Sequence, residues 1–184
     1  RINKRKWFCG FIWRYNRFYF TKIILNMEFY TIGVYNSTEK EYFKKLTDNH
    51  IDTFCDIRQR RGVRGSEYAF VNSNRLQLKL NDLDIKYGHI LELAPSSEIR
   101  ELQKVADNQQ GEHKRDRNRL GKIFTIAYKD RILSKFDFEN FIEKLELVGA
   151  NRVVLFCVEE KHEACHRSIV ADKLDQLGYK IIHL

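Results

Sequence analysis

Proline is almost missing from this chain: Pro95 is the single one in 184 residues, and glycine occurs only nine times. That scarcity excludes a collagen-like, linker-like or low-complexity polymer. Long apolar runs are missing as well. A membrane helix needs roughly 20 nearly uninterrupted apolar residues, and the best stretch, WFCGFIW after RINKRK, is broken by Arg14, Asn16 and Arg17. The same break, without a small-residue cleavage site, argues against a secretory signal. No Walker loop, no GxGxxG and no GxSxG is present, so the common nucleotide, dinucleotide and serine-hydrolase readings lose support. Cysteine is sparse: Cys9, Cys55, Cys157 and Cys165. Without a dense cysteine framework, free thiols are expected, and cytoplasm is the expected location.

What the chain does have is 43% hydrophobic and 32% charged residues, enough for one ordinary domain to bury a core without disulfide or metal staples. The formal net charge of +8 suggests a nucleic-acid partner, but its location weakens that reading. Seven bases and no acid lie in residues 1–26, so residues 27–184 are close to neutral. Residue 1 is Arg, the only methionine is Met27, and a strand pattern begins two residues later. The expectation is a basic, aromatic N-terminal extension over 1–26, non-native or disordered, ahead of a single domain over 27–184.

Phe29–Tyr35 (FYTIGVY) reads as a buried strand, and Thr38 with Glu41 forms a capping-box pattern before Tyr42, Phe43 and Leu46 at helical spacing. Ile51–Ile57 is a second strand opening into the basic loop RQRRGVRGSEY. A helix starting at Asn72 or Ser73 and a weaker strand over Ile85–Ile90 follow. Helical periods cover Ser96–Asp107, Leu120–Tyr128 and Phe138–Leu145, with an exposed polar stretch expected over Asn108–Arg119. Arg152–Val158 is the clearest strand. A helix from about His166 to Leu177, stopped by Gly178, leads to a last strand, Tyr179–Leu184. Alternation of strands and helices predicts a three-layer α/β fold. It has a mainly parallel sheet of about five strands and helices on both faces.

Ligands of open α/β sheets sit beyond the carboxyl ends of the strands, and three such ends here are polar, the first at Tyr35-Asn36-Ser37. The second strand ends at Asp56-Ile57-Arg58 and runs on to Arg60, Arg61 and Arg64. The Arg152–Val158 strand ends at Cys157-Val158-Glu159-Glu160, and a short loop then brings Cys165-His166-Arg167 to the start of a helix. A thiol at a helix N-terminus feels the positive end of the dipole, so Cys165 is a candidate thiolate and His166 a candidate base. Side chains adjacent on a helix diverge by about 100°, so the two need not touch. A buried, inert cysteine with His166 and Arg167 as loop ties is the competing reading. Arg58 and Arg64, beside Gly62 and Gly65, have the fork geometry that holds phosphate oxygens; alternatively Arg58 pairs with Asp56 or Glu159. Cys157, His162, Cys165 and His166 offer zinc-type ligands, but there is no second knuckle and Cys157 ends a strand, so no metal is assigned.

These same residues carry a resemblance. CVEEKHEACHR resembles the C-x-E-x5-C-H-R hallmark of the domain-of-unknown-function 488 (DUF 488) family. TIGVY, DIRQRRGVRGSEYAF, LAPSSEIRELQ and GYKIIHL resemble its other blocks in the same order, across Met27–Leu184. The family positions implied are Asp56, Arg58, Arg64, Cys157, Glu159, Cys165, His166 and Arg167; His162 lies outside the motif. The family has no established activity.

The resulting expectation is an enzyme acting on a phosphorylated or nucleotide-like substrate. Arg58 and Arg64 hold the anion, with Arg167 and Cys157 as further binding residues. Asp56, Glu159 and His166 do acid–base work, and Cys165 is a reactive or positioning thiol. No cofactor and no membrane partner is expected. The alternative is a non-catalytic module binding nucleic acid or protein through the Arg60–Arg64 loop and the Asn108–Arg119 stretch, with the polar motif as a structural network.

Overall fold

The computed structural model describes residues 27–63, 65–111 and 117–184. Arg64 and the expected extension over 1–26 lie outside the described residues. Within them, five strands alternate with six helices: β1 Glu28–Ile32, α1 Glu39–Asp48, β2 Thr53–Asp56, α2 Ser73–Asp82, β3 Lys86–His89, α3 Ser97–Gln110, α4 Lys122–Arg131, α5 Phe138–Leu147, β4 Arg152–Phe156, α6 His166–Gln176 and β5 Lys180–His183.

All five strands are parallel, in the order β3-β2-β4-β1-β5. The central pair is fixed by Phe54 opposite Val154 and Asp56 opposite Phe156. Alternation sends Phe29 and Phe156 to opposite faces. Phe156 meets Tyr42 of α1 at 5.7 Å between ring centroids, whereas Phe29 meets Phe141 of α5 at 6.4 Å. Helices therefore cover both faces, and the inner strands are apolar because neither face sees water. Among the described residues, no helix is long and apolar enough to cross a membrane.

Local chemistry sets the element boundaries. The Thr38 side chain accepts from the Glu41 amide while the Glu41 carboxylate accepts from the Thr38 amide, the reciprocal capping box that starts α1. Gly111 at φ +66° ends α3, and Gly178 at φ +94° turns the chain from α6 into β5. The expected first strand stops early, at Ile32. Gly33 packs directly on the Glu159 backbone, and the Val34 and Tyr35 amides both donate to the Val158 carbonyl at 3.1 Å instead of continuing the ladder. Of the expected exposed stretch over Asn108–Arg119, Asn108, Gln109, Gly111, Asn118 and Arg119 are exposed, and Arg117 is the exception. Asn108–Gln110 belong to α3, and Arg117 is only 7% exposed, because its guanidinium turns inward to form ion pairs.

This topology creates the site. From β2 the chain leads outward to β3, at one edge of the sheet. From β4 it leads through α6 to β5, at the other edge. The two connections diverge, leaving a crevice at the carboxyl ends of β2 and β4.

Candidate functional site

The crevice is a cavity of about 590 Å³, within the range of small-molecule sites. Its described lining holds five permanent cations, Arg58, Arg60, Arg100, Lys104 and Arg117, against two carboxylates, Asp107 and Glu159. Leu120, Phe124 and Val63 add apolar lining. A concave site with that excess of one sign concentrates anions.

β2 delivers Asp56 and Arg58. Asp56 is fully buried and Arg58 is 3% exposed. The pair is bidentate, with Arg58 Nε to Oδ1 at 2.8 Å and Nη2 to Oδ2 at 2.7 Å, while Tyr87 Oη donates to Oδ2 at 3.0 Å. Nη2 also donates to the Val71 carbonyl at 3.0 Å, and the guanidinium lies over the Phe156 ring at 4.4 Å. Asp56 does not line the cavity; it orients Arg58, which does. Nη1 of Arg58 is buried without a protein hydrogen-bond partner. Burial disfavours the charge on Arg58, but the hydrogen bonds and charge of Asp56 outweigh it and raise its pKa further.

β4 and the N-terminus of α6 deliver the sulfur and imidazole groups. Cys157 Sγ donates to Glu159 Oε2 at 3.2 Å and lies 3.9 Å from His166 Nδ1. Cys165 Sγ lies 3.8 Å from the same Nδ1. Sequence spacing left contact between Cys165 and His166 open. They meet because Cys165 is the N-cap, with extended backbone at φ −136° and ψ 145°, so helical divergence does not apply to the pair. His166 Nε2 is 3.1 Å from the Ile57 carbonyl. A carbonyl only accepts, so Nε2 carries hydrogen and, in the neutral ring, the Nδ1 lone pair faces the two sulfurs.

Burial by itself would push the Cys165 thiol up. The interaction with the Cys157 side chain and the charges of His166 and Arg167 win, and hold it well below its ordinary value. Burial would lower the His166 pKa, but Cys165, Glu159 and the Ile57 carbonyl raise it. The third described cysteine behaves oppositely: burial and the Asp56 charge push Cys55 up to about 12. None of the three is in a disulfide.

Arg167 is a tie. Its Nη1 donates to the Glu159 carbonyl at 2.5 Å and its Nη2 to the Glu160 carbonyl at 2.7 Å, which clamps the loop between β4 and α6. His162 is apart from the cluster, stacked on His183 with ring centroids 3.6 Å apart.

Sequence reasoning missed a second layer from α3. Arg117 donates from Nη1 to Asp107 Oδ2 at 2.9 Å, from Nη2 to Glu159 Oε1 at 3.4 Å, and from Nε and Nη2 to the Ala164 carbonyl. Gln103 donates to Asp107 Oδ1 at 2.6 Å and accepts from the Gly121 amide at 2.8 Å. The only sequence signal was the i, i+4 spacing of Gln103 and Asp107 on one helix face. Nothing in the polar stretch singled out Arg117. Thus Arg58, Cys157, Glu159, Cys165 and His166 converge on one cavity, Asp56 and Arg167 stand behind it as ties, and Arg64 lies outside the described residues.

A family model described as "Domain of unknown function DUF488" matches residues 38–174. No curated protein and no solved structure matches the chain.

Proposed function

The chain belongs to the DUF488 family, and we propose that it is an enzyme acting on a phosphorylated or nucleotide-like small molecule bound in the crevice at the ends of β2 and β4. The observation that carries this reading is the Arg58 guanidinium. It is fixed by Asp56 on one edge, keeps Nη1 buried without a protein partner, and belongs to a residue lining a cavity that also holds Cys157, Glu159, Cys165 and His166. A buried donor left unmatched by the protein costs stability unless a ligand satisfies it. The fork itself is taken by Asp56, and Nη1 offers one charge-assisted donor to a phosphoryl oxygen. Arg100 and Lys104 line the same cavity from α3 and extend the cationic wall.

Glu159 is the group in this reading that handles the proton. Its carboxylate faces the cavity between Arg117 and Cys157. The sulfur–imidazole cluster in the cavity lining supplies the reacting centre. Asp56 acts through Arg58, and Arg167 through the loop that carries Glu159; both are positioning residues.

The test is a turnover screen of phosphorylated metabolites, with release of phosphate or of the parent compound as the readout. Turnover should fall at least about 100-fold in Glu159→Gln while the unfolding midpoint is kept. If no phosphorylated compound is bound or turned over by the wild type, or if Glu159→Gln is fully active, the reading fails.

A further inference from the structure

We propose that Cys157 Sγ, Cys165 Sγ and His166 Nδ1 are three ligands of a zinc ion whose remaining coordination position faces the crevice. The three atoms lie within 4.8 Å of one another, the one such group among the described residues that combines sulfur and imidazole donors. Zinc–sulfur bonds of about 2.3 Å and zinc–nitrogen bonds of about 2.1 Å at tetrahedral angles separate neighbouring ligand atoms by roughly 3.5–3.8 Å. The two sulfur–nitrogen distances here are 3.8 and 3.9 Å.

Hydrogen bonding accounts for only part of this arrangement: Cys157 Sγ donates to Glu159 Oε2 at 3.2 Å, a proton it gives up as a zinc thiolate. Both sulfurs converge on one nitrogen that has a single lone pair, at separations long even for sulfur. One ion between them satisfies all three atoms at once. The other face of the ring has the outer-sphere partner that metal-bound histidines usually have: Nε2–H donates to the Ile57 carbonyl and fixes the tautomer with Nδ1 inward. Tyr128 of α4 packs on the imidazole at 5.5 Å and holds its plane. Charge also balances. Two thiolates neutralise a divalent cation, so the assembled centre adds no net charge to a buried place.

Cys165 is only 1% exposed. That is awkward for a nucleophile, which must reach its substrate, and suits a ligand, which needs only its lone pair. Soft sulfur with one imidazole selects zinc over magnesium or calcium. Three protein ligands with one place left for water or substrate is the pattern of reactive rather than structural zinc. The site depends on the crevice reading only for what occupies that remaining place.

Metal analysis of the purified full chain tests this. The expected content is about one zinc per chain, retained in Cys55→Ala and lost in Cys157→Ala and Cys165→Ala. Because a ligand variant could simply unfold, cobalt(II) is also titrated into the chelator-treated wild type. A sulfur-to-cobalt charge-transfer band should appear in wild type and Cys55→Ala and be displaced by zinc. Absence of both zinc and the cobalt band in folded wild type overturns the site, as does zinc retained by the Cys157→Ala/Cys165→Ala double variant. Zinc without any phosphorylated ligand would sink the proposed substrate and leave the metal site standing; ligand binding by a chain that takes no zinc would do the reverse.

Discussion

Arg58 grips the carboxylate of Asp56 with two parallel hydrogen bonds of 2.8 and 2.7 Å while its third nitrogen, Nη1, is buried without a protein hydrogen-bond partner. An ion pair this deep is no guarantee of net stability, since desolvating both charges offsets much of their attraction. Its value is orientation: the fork can point in only one direction.

Removing one partner should therefore be severe. Asp56→Ala leaves an uncompensated guanidinium among Phe156, Val71 and Tyr42, and should lower the unfolding free energy by about 3–5 kcal/mol in urea denaturation. A loss below about 1 kcal/mol would mean the pair behaves like a surface contact and does not anchor Arg58.

Gly33 should tolerate no side chain. A Cβ there would overlap the Glu159 backbone carbonyl and crowd the Arg167 guanidinium at Nη2, the loop that carries the site and the side chain that ties it. Gly33→Ala is expected to cost at least about 1–3 kcal/mol, read as a shift of the urea midpoint. An unchanged midpoint would show that the β1 and β4 ends are not in contact.

Thiol chemistry should divide the cysteines. Cys55, pushed up to about 12 by burial and by Asp56, has almost no thiolate at pH 8 and should stay unlabelled when the folded chain meets iodoacetamide, as read by peptide mass spectrometry. The sign is simple: a raised thiol pKa suppresses the reactive form throughout the neutral range. Rapid labelling of Cys55 without unfolding would contradict its placement in β2.

Arg167→Lys should loosen the loop between β4 and α6. Lysine keeps the charge and loses the fork that reaches two carbonyls at once. A cost of about 1.5–3 kcal/mol is expected from denaturation, and full stability in the lysine variant would show that charge alone suffices there.

Much of this molecule was legible in its sequence, for identifiable reasons. Inner parallel strands are apolar on both faces, so TFCD and RVVLF stand out. Thr38 with Glu41 marked the start of α1, and Gly178 marked the end of α6, because caps are local chemistry. Polar strand ends flagged Arg58, Glu159, Cys165 and His166 for the same reason. Legibility failed where the outcome depended on packing between distant segments. Whether Cys165 touches His166 turned on one extended N-cap backbone. Arg117 looked like one base in a solvated run until Asp107 and the Ala164 carbonyl drew it in. The contribution of Arg100 and Lys104 to the cavity depends on where α3 lies over the strand ends, which no local pattern encodes.

The central claim is that the β2–β4 crevice receives a phosphoryl-type anion. Its most direct test is a crystal soaked with tungstate, a heavy phosphate analogue located by anomalous scattering. The account predicts tungstate in the crevice within hydrogen-bond distance of Arg58 Nη1, and its loss in the Arg100→Gln/Lys104→Gln variant. An accessible crevice left without tungstate, or tungstate bound equally in that variant, would contradict it.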